Sequence, residues 1–249
     1  MTRQTMDRYL SLVKEAALLA GQVLLKRNNP CRSVKTDTLH DIKISADTVS
    51  ERLIIDFLAR KTNFSILSEE AGMIEGANKD FCWIVDPLDG SLNYFRGIPM
   101  CCVSIGLWKR GAPLLGVVYD FNRLEMFSGI VGQGAKLNGR KITVSSVREK
   151  QKAILATGFP AQTQYSKKSV SNMVQTIQSY KKVRWFGSAA LSVCYVACGR
   201  VDGYHEKNIF IWDVAGAIPV VKAAGGKVCT KETEKEYCLD VTIDNGSLK

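Results

Sequence analysis

The apolar run Phe81-Cys-Trp-Ile-Val85 is followed directly by Asp86-Pro-Leu-Asp89-Gly-Ser91. A run of this kind predicts a buried strand that ends where the acids, the proline and the glycine begin. Charged side chains at the end of a buried strand require a compensating cation. The glycine and the hydroxyl of Ser91 add N–H and O–H donors that suit an anion. We therefore interpret residues 81–91 as the centre of a metal and phosphate site.

Two further acidic segments stand at predicted element boundaries. Ser68-Glu69-Glu70 follows a predicted strand that ends at Leu67, and Asp213 lies in Trp212-Asp213-Val-Ala-Gly216. Acids at the ends of strands and helices can converge on one point of a sheet-based fold. Because carboxylate and carbonyl oxygens would be the ligands, the pattern favours magnesium over zinc.

Each acidic segment also has a simpler interpretation. Asp213 precedes an apolar run and could be a helix N-cap, Glu69-Glu70 could be loop surface, and Asp86-Pro could only start a turn.

Other reaction chemistries have few candidate residues. The chain has two histidines, His40 and His205, and no Gly-x-Ser-x-Gly motif, so carboxylates are expected to do the chemical work. Its eight cysteines form no Cys-x-x-Cys pair, which favours buried free thiols over zinc or disulfides. Residues 1–25 mix charged and apolar side chains and resemble neither a signal peptide nor a membrane span. These features predict a cytoplasmic protein.

The positive charge is unevenly distributed. The net charge is +10, and residues 150–201 contain lysines and arginines but no Asp or Glu. A solvated basic face is the simplest interpretation, beside steering of an anionic substrate and contact with nucleic acid or an acidic protein.

Hydrophobic periodicity predicts two helices on a largely antiparallel sheet, followed by a second α/β layer. The expected helices are Met6–Lys26, closed by Asn28-Asn29-Pro30, and then Asp47–Arg60, Ser169–Tyr180, one from Ser188, and Trp212–Ala224. The expected strands are Phe64–Leu67, Phe81–Val85, Cys102–Trp108, Leu114–Tyr119, Leu124–Gly129, Ala153–Thr157 and Val183–Phe186. We expect one catalytic unit, residues 1–249, whose subdomains 1–151 and 152–249 meet at a cleft.

The segment from Trp83 to Tyr94, with Ser68-Glu69-Glu70 upstream and Trp212–Ala217 downstream, resembles the inositol monophosphatase family. The resemblance spans nearly the whole chain. It implies an α+β fold, the layered αβαβα sandwich of inositol monophosphatase and fructose-1,6-bisphosphatase. It also implies magnesium-dependent, lithium-sensitive hydrolysis of phosphate monoesters by a homodimer.

The resemblance assigns roles to individual residues. Glu69, Asp86 and the Leu88 carbonyl match ligands of the first magnesium, and Asp86, Asp89 and Asp213 match ligands of one or two more. Asp47 and Ser91 match the pair that orients or deprotonates the attacking water, beside the metal ligand Glu69. Substrate contacts are implied for Lys35, Gly90, Ser91, Gly187, Ser188, Ala189 and Glu206. Ser91 stands where most members carry threonine, so the hydroxyl is kept but its rotamer is less restricted. Tyr94 stands where phenylalanine is usual, which is a mild change.

The expected function is magnesium-dependent hydrolysis of a small polyol or sugar phosphate, with inositol 1-phosphate first. Fructose 1,6-bisphosphate, 3'-phosphoadenosine nucleotides, NADP and histidinol phosphate are alternatives within the family. A binding role in contact with RNA or RNA polymerase is the alternative of another class, since some bacterial relatives associate with transcription complexes. No membrane contact is expected.

Overall fold

The computed structural model describes residues 1–26, 34–37, 42–158 and 166–249. Within these ranges the helices are α1 (Arg3–Leu24), α2 (Ser45–Lys61), α3 (Ser91–Arg96), α4 (Lys167–Ser179), α5 (Ala189–Ala197), α6 (Ile211–Ala215) and α7 (Ala217–Ala223), with a 3-10 turn at Lys150–Lys152. The strands are β1 (Val34–Asp37), β2 (Ile42–Ile44), β3 (Phe64–Ser68), β4 (Gly72–Ile74), β5 (Asn78–Asp89), β6 (Cys102–Lys109), β7 (Ala112–Asp120), β8 (Glu125–Ile130), β9 (Gly134–Leu137), β10 (Arg140–Ile142), β11 (Ile154–Thr157), β12 (Lys182–Arg184), β13 (Gly203–Phe210), β14 (Lys227–Glu232) and β15 (Cys238–Asp244). His40 and the Asn28-Asn29-Pro30 segment lie outside the described residues.

The larger sheet carries the first two helices on one face. Its strand order is β10-β9-β8-β7-β6-β5-β3-β4, and all neighbours are antiparallel except β3 and β5. Helices α1 and α2 bury Val13, Ile54 and Leu58 against Trp83 and its neighbours in the sheet. The prediction of two helices on a largely antiparallel sheet is therefore confirmed.

The smaller sheet completes a five-layer arrangement. Its order is β12-β11-β13-β15-β14, with β11 parallel to both its neighbours. Helices α5 and α7 fill the space between the two sheets with apolar side chains such as Val193 and Val220. Helix α4 lies on the outer side of the smaller sheet, across a cavity lined by Leu155. The layers run α, β, α, β, α, as expected.

A row of three glycines lets the middle helices approach the larger sheet closely. Gly106, Gly116 and Gly129 are paired directly across β6, β7 and β8. A Cβ atom on Gly106 would lie 2.2 Å from the Ala215 carbonyl oxygen, and one on Gly116 would lie 1.9 Å from the Gly216 oxygen. The junction of α6 and α7 therefore packs backbone against backbone on this glycine row.

The predicted helix Trp212–Ala224 is wrong as a single element, because it breaks at Gly216 into α6 and α7. Pro219 has no N–H to donate to the carbonyl of Ala215, one turn earlier. That carbonyl instead accepts a hydrogen bond of 3.0 Å from Trp108 Nε1. The Ala215 carbonyl therefore exchanges its helical hydrogen bond for one from a side chain of the larger sheet.

Two strand predictions also differ from the structure. Strand β5 does not end at Val85 but continues to Asp89, with an irregular register opposite β6 between Asp86 and Asp89. Pro87, which has no N–H, falls inside that irregular stretch. In the described ranges, eight strands lie outside the predicted set, namely β1, β2, β4, β9, β10, β13, β14 and β15.

The remaining boundaries shift by a few residues. Helix α1 begins at Arg3, since Thr2 caps it by accepting from the Thr5 N–H, and it ends at Leu24 instead of Lys26. Even this 22-residue helix lacks the continuous apolar surface that a bilayer-crossing segment needs, and so do the other helices of the described ranges. Every cysteine in those ranges is a free thiol. The division into subdomains 1–151 and 152–249 stays a prediction.

Candidate active site

The parallel pairing of β3 and β5 brings the first two acidic segments together. Ser68, the last residue of β3, is aligned with Val85, so the following residues Glu69 and Asp86 lie side by side at one edge of the sheet. Glu69 is half-buried in the turn that follows β3 and is not simple loop surface. Asp86 is 1% exposed and lies inside β5, so it does more than start a turn.

Asp86 is held by its own chain and surrounded by like charge. Its Oδ1 accepts the N–H of Leu88 at 3.0 Å. Burial, and then the charges of Glu69, Asp89 and Asp213, raise the pKa of Asp86 well above its usual range. A buried carboxyl group in this position gains from any cation that enters the site.

Asp89 accepts hydrogen bonds from several donors. Its carboxylate accepts the hydroxyl of Ser188 and the N–H groups of Ala189 (3.2 Å) and Ala190 (2.9 Å). The thiol of Cys102, which is fully buried, lies 3.6 Å from Asp89 Oδ2 and donates to it. Burial raises the pKa of Asp89, and these donors oppose the rise. Asp89 thus ties the end of β5 to the start of α5.

Asp213 reaches the same place from the other side. It is the third residue of α6 and not the N-cap, and its Oδ2 accepts the N–H of Phe210 at 3.1 Å. Helix α6 packs Trp212 against Leu67 and Ile84 of the larger sheet. Burial, and then the charges of Glu69, Asp89 and Glu206, raise the pKa of Asp213 well above its usual range.

Ser91 forms a hydrogen-bonded pair with Asp47. Ser91 Oγ lies 2.9 Å from Asp47 Oδ1 and also 2.9 Å from the Leu88 carbonyl oxygen, and its single proton serves one of them at a time. Asp47 is buried in the first turn of α2. Gly90 stands between these elements with φ of 86°, and a Cβ there would lie 2.7 Å from the Met100 carbonyl oxygen. Only glycine fits this turn without strain.

The predicted substrate contacts are partly brought to the site. Glu206 accepts a hydrogen bond of 2.5 Å from the Tyr204 hydroxyl, and burial raises its pKa to about 7. Gly187 is exposed beside this group of acids, whereas Ser188 is buried and bonds Asp89. The side chain of Lys35 lies outside what the structure describes.

Sequence reasoning missed three residues that hold the site in place. Glu51 Oε1 accepts the Ser68 hydroxyl at 2.5 Å and the N–H groups of Glu70 and Ala71, so it shapes the turn that carries Glu69. Asn93 donates to the carbonyls of Met100 and Phe186, both at 2.8 Å. Cys102 is the third. Glu51 carries no sequence signal, since an acid on an amphipathic helix normally faces solvent.

The donor set suits a hard cation. Carboxylate oxygens and the Leu88 carbonyl dominate it, and these are the ligands that magnesium prefers. Four neighbouring carboxyl groups cannot all be ionised in a buried space without a counter-charge. In the described parts of the chain no three Asp, Glu, His or Cys side chains are already arranged to hold an ion. Asp86, Asp89 and Asp213 each accept a backbone N–H group and keep further lone pairs for a cation. The residues fit magnesium chemically, and binding would draw their oxygens together.

Comparison with known proteins identifies the family of the chain. The sequence model of the inositol monophosphatase family matches residues 5–248. The chain belongs to the inositol monophosphatase family. As a member of this family it is a phosphomonoester hydrolase.

Individual family members resemble the chain over most of its length. A Pasteurella multocida protein named Nus factor SuhB is 38% identical over 229 residues, which cover 90% of this chain and 85% of that protein. A Synechocystis protein named inositol-1-monophosphatase is 36% identical over 230 residues, covering 90% and 79%. The structure of inositol monophosphatase from Anabaena aligns with a TM-score of 0.84 and 36% identity, over 98% of this chain and 92% of that one.

Proposed function

We propose that this family member hydrolyses the phosphate monoester of a small polyol or sugar, with inositol 1-phosphate as the first candidate, and that it requires Mg²⁺. One observation carries the proposal. Carboxylates from three separate parts of the fold converge beside the Ser91–Asp47 pair: the buried Asp86 and Asp89 on β5, and the half-buried Asp213 on α6 and Glu69 after β3.

The ligands proposed for a first ion are Glu69, Asp86 and the Leu88 carbonyl. Asp86, Asp89 and Asp213 are proposed to hold one or two more. When bound, magnesium neutralises charge on phosphoryl oxygens, lowers the pKa of water and stabilises a leaving alkoxide.

The chain itself is proposed to orient the reactants. The Ser91 hydroxyl, hydrogen-bonded to Asp47, can accept a proton from water and relay it to that carboxylate. Gly90 and Ser91 are proposed to contact the phosphate. The phosphorus then accepts the water oxygen in line with the departing alcohol, and no covalent intermediate with the protein is needed.

Glu206 supports a hydroxylated substrate. Because its pKa is about 7, this side chain can either donate to or accept from a substrate hydroxyl near neutral pH. Gly187 and Ala189 are proposed to touch the substrate ring, while Ser188 contributes through Asp89. Lys35 remains a proposed contact. The alternative substrates are fructose 1,6-bisphosphate, 3'-phosphoadenosine nucleotides, NADP and histidinol phosphate.

The test is phosphate release from a panel of inositol, hexose, nucleotide and histidinol phosphates, with Mg²⁺ and with a chelator. Magnesium-dependent release concentrated on inositol 1-phosphate supports the proposal. Release that is equal in chelator contradicts the metal role. Release confined to a nucleotide or histidinol phosphate contradicts the substrate assignment while leaving the reaction class intact. Lithium inhibition and homodimer formation are further family expectations, measured by adding Li⁺ to the assay and by light scattering.

A binding role is the second candidate, because relatives such as the Pasteurella multocida protein carry the name Nus factor. The acid-free segment presents Lys167, Lys168, Lys182 and Arg184 as exposed side chains. Salt-sensitive binding of RNA or RNA polymerase that persists in Asp86→Asn would support this role. Absence of binding at low salt would contradict it and leave substrate steering as the use of the charge, since α4 borders the cavity at Glu206.

A further inference from the structure

Two lysines and a buried serine form a row at the β10 end of the larger sheet, on the face that α1 covers. Ser128 of β8 is paired with Lys136 of β9, and Lys136 is paired with Lys141 of β10. Residues paired directly across antiparallel strands project from the same face of a sheet. Val117, the β7 partner of Ser128, belongs to the core beneath α1, so the row projects from that face.

Helix α1 adds Lys14 to this row. Gly21 stands two turns after Lys14 on the same side of α1, and a Cβ there would lie 2.5 Å from Tyr119 Cε1 of β7. This side of the helix therefore packs closely on the sheet, and Lys14 is half-buried. Burial, and then the charge of Lys136, lower the pKa of Lys14. The two lysines are thus close enough to repel each other.

These lysines have no acidic partner in the parts of the chain that the structure describes. None of the ion pairs found there includes Lys14, Lys136 or Lys141. On α1 the acids closest along the helix are Asp7, two turns before Lys14, and Glu15, which projects about 100° further round the helix. The positive charge of the row is therefore left for an anion to balance.

Ser128 adds a hydrogen-bond donor at the inner end of the row. Its side chain is 2% exposed, and its hydroxyl has no hydrogen-bond partner among the described residues. A buried hydroxyl without a partner is unfavourable and unusual in native proteins. Lysines bind phosphate as point charges, whereas planar carboxylates match the fork of an arginine better. Lysines beside a hydroxyl therefore favour a phosphate group as the anion.

We propose that one group of side chains binds a phosphate group apart from the carboxylate site: Lys14, Lys136, Lys141 and Ser128. Strand β9 is four strands from β5, so the two sites are roughly 19 Å apart across the sheet. The ammonium groups supply the charge, and the Ser128 hydroxyl donates to one phosphate oxygen. The site needs no Mg²⁺, and it stands or falls independently of the proposed phosphatase function.

The experiment titrates inorganic pyrophosphate calorimetrically into metal-free protein in EDTA, at an ionic strength held constant with KCl. Without magnesium the carboxylate site repels anions and does not contribute. We expect saturable binding that Lys136→Gln weakens about tenfold or more, because a charge-assisted contact is lost. Ser128→Ala should weaken binding several-fold. The matched control is Lys168→Gln, which removes an exposed lysine of the acid-free segment and should change the Kd by less than about twofold.

Thermal unfolding separates binding from a structural role. Without pyrophosphate, Lys136→Gln removes repulsion from Lys14, and Ser128→Ala removes a hydroxyl without a partner. Neither variant should therefore unfold at a lower temperature than the parent. Pyrophosphate should raise the unfolding temperature of the parent and of Lys168→Gln more than that of Lys136→Gln. An equal rise in all three would contradict the site.

The source of the phosphate group is decided by a second arm, in which phosphatidylcholine vesicles with and without phosphatidic acid replace pyrophosphate. Binding of pyrophosphate that Lys136→Gln weakens supports a small soluble ligand. Binding of the phosphatidic acid vesicles alone, lost in Lys136→Gln, supports a lipid headgroup in the same site. Absence of binding in both arms overturns the proposal, and so does binding that Lys168→Gln weakens as much as Lys136→Gln does.

Discussion

Asp86 lies among three other carboxyl groups, and its own burial is nearly complete. Asp89 accepts the backbone N–H of Ala190 on α5 and Asp213 accepts that of Phe210 at the end of β13, so the acids cannot turn away from one another without losing those bonds. At the residue scale, therefore, the site stores electrostatic repulsion that a cation relieves.

Replacing Asp86 by asparagine tests this arrangement. Asp86→Asn keeps the shape and removes one charge, so we expect kcat to fall at least about a hundredfold, because the charges that stabilise the transition state are lost. The variant should unfold at the same or a higher temperature than the metal-free parent, since one repulsive partner has gone. Asp56→Asn, on the exposed side of α2, is the control for charge removal. A rate near that of the parent would contradict the metal assignment.

Cys102 provides a second test at this scale. Cys102→Ala removes the thiol that donates to Asp89 Oδ2, which should leave the carboxylate less well held and weaken Mg²⁺ binding several-fold, on the order of 1 kcal/mol. Calorimetric titration with Mg²⁺ measures the change. Cys101→Ala is the matched control, because the neighbouring buried thiol contacts Asn122 instead. Equal effects of the two substitutions would reduce the role of Cys102 to packing.

At the scale of the elements, α6 and α7 take their position from the glycine row. The row consists of Gly106, Gly116 and Gly129 on three adjacent strands. The carbonyls of Ala215 and Gly216 occupy the space that side chains on the strands would fill. Because Asp213 belongs to α6, this close contact determines how far the helical carboxylate stands from those on β5.

Gly116→Ala tests that contact. The new methyl group would lie 1.9 Å from the Gly216 oxygen, so the helix junction must move away. We expect the free energy of unfolding to fall by roughly 2 kcal/mol or more, as in other overpacked cores. Chemical denaturation measures it. Gly203→Ala is the control, because its methyl group would find only ordinary contacts, the nearest at 3.4 Å.

The sequence predicts the short-range parts of these elements well and the long-range parts poorly. Asp86, Asp89 and Ser91 are close along the chain, so their motif is visible before folding. Glycines scattered over β6, β7 and β8 become a row only when the strands pair, and no local pattern encodes that register. The bonds from Ser188 and Cys102 to Asp89 likewise join segments far apart in sequence. The simpler interpretation of Asp213 as a helix N-cap is wrong, because Phe210 takes the N-cap position and Asp213 is the third residue of α6.

At the scale of the whole molecule, the acidic site links folding to protons and to magnesium. Asp86, Asp89, Asp213 and Glu206 all have raised pKa values when the chain is folded and free of metal, the last at about 7. The folded chain therefore binds more protons than the unfolded chain, whose carboxyl groups titrate near 4. The stability due to these protons is present below about pH 4 and is lost as the pH rises through the folded values.

Thermal unfolding of metal-free protein between pH 5 and pH 8 tests this linkage. We expect the contribution of these four acids to fall as the pH rises, by a few kcal/mol. Mg²⁺ should restore stability more at pH 8 than at pH 5, since ligands must be deprotonated to bind it. Glu206→Gln should flatten the part of the curve below about pH 7. A metal-free curve that is no steeper than that of Asp86→Asn would contradict the coupling.

The backbone contact at the glycine row also bears on how freely this sequence can vary. Side chains in the outer core, between α1, α2 and the larger sheet, can change volume over generations without altering the spacing between α6 and β6, because that spacing is set by main-chain atoms. The constraint on catalytic geometry is thereby concentrated in a few positions that carry no functional group. We expect substitutions to be tolerated least at the glycine row and widely at the surrounding apolar positions. The sequences of related chains can then diverge while the distances between the carboxylates stay the same.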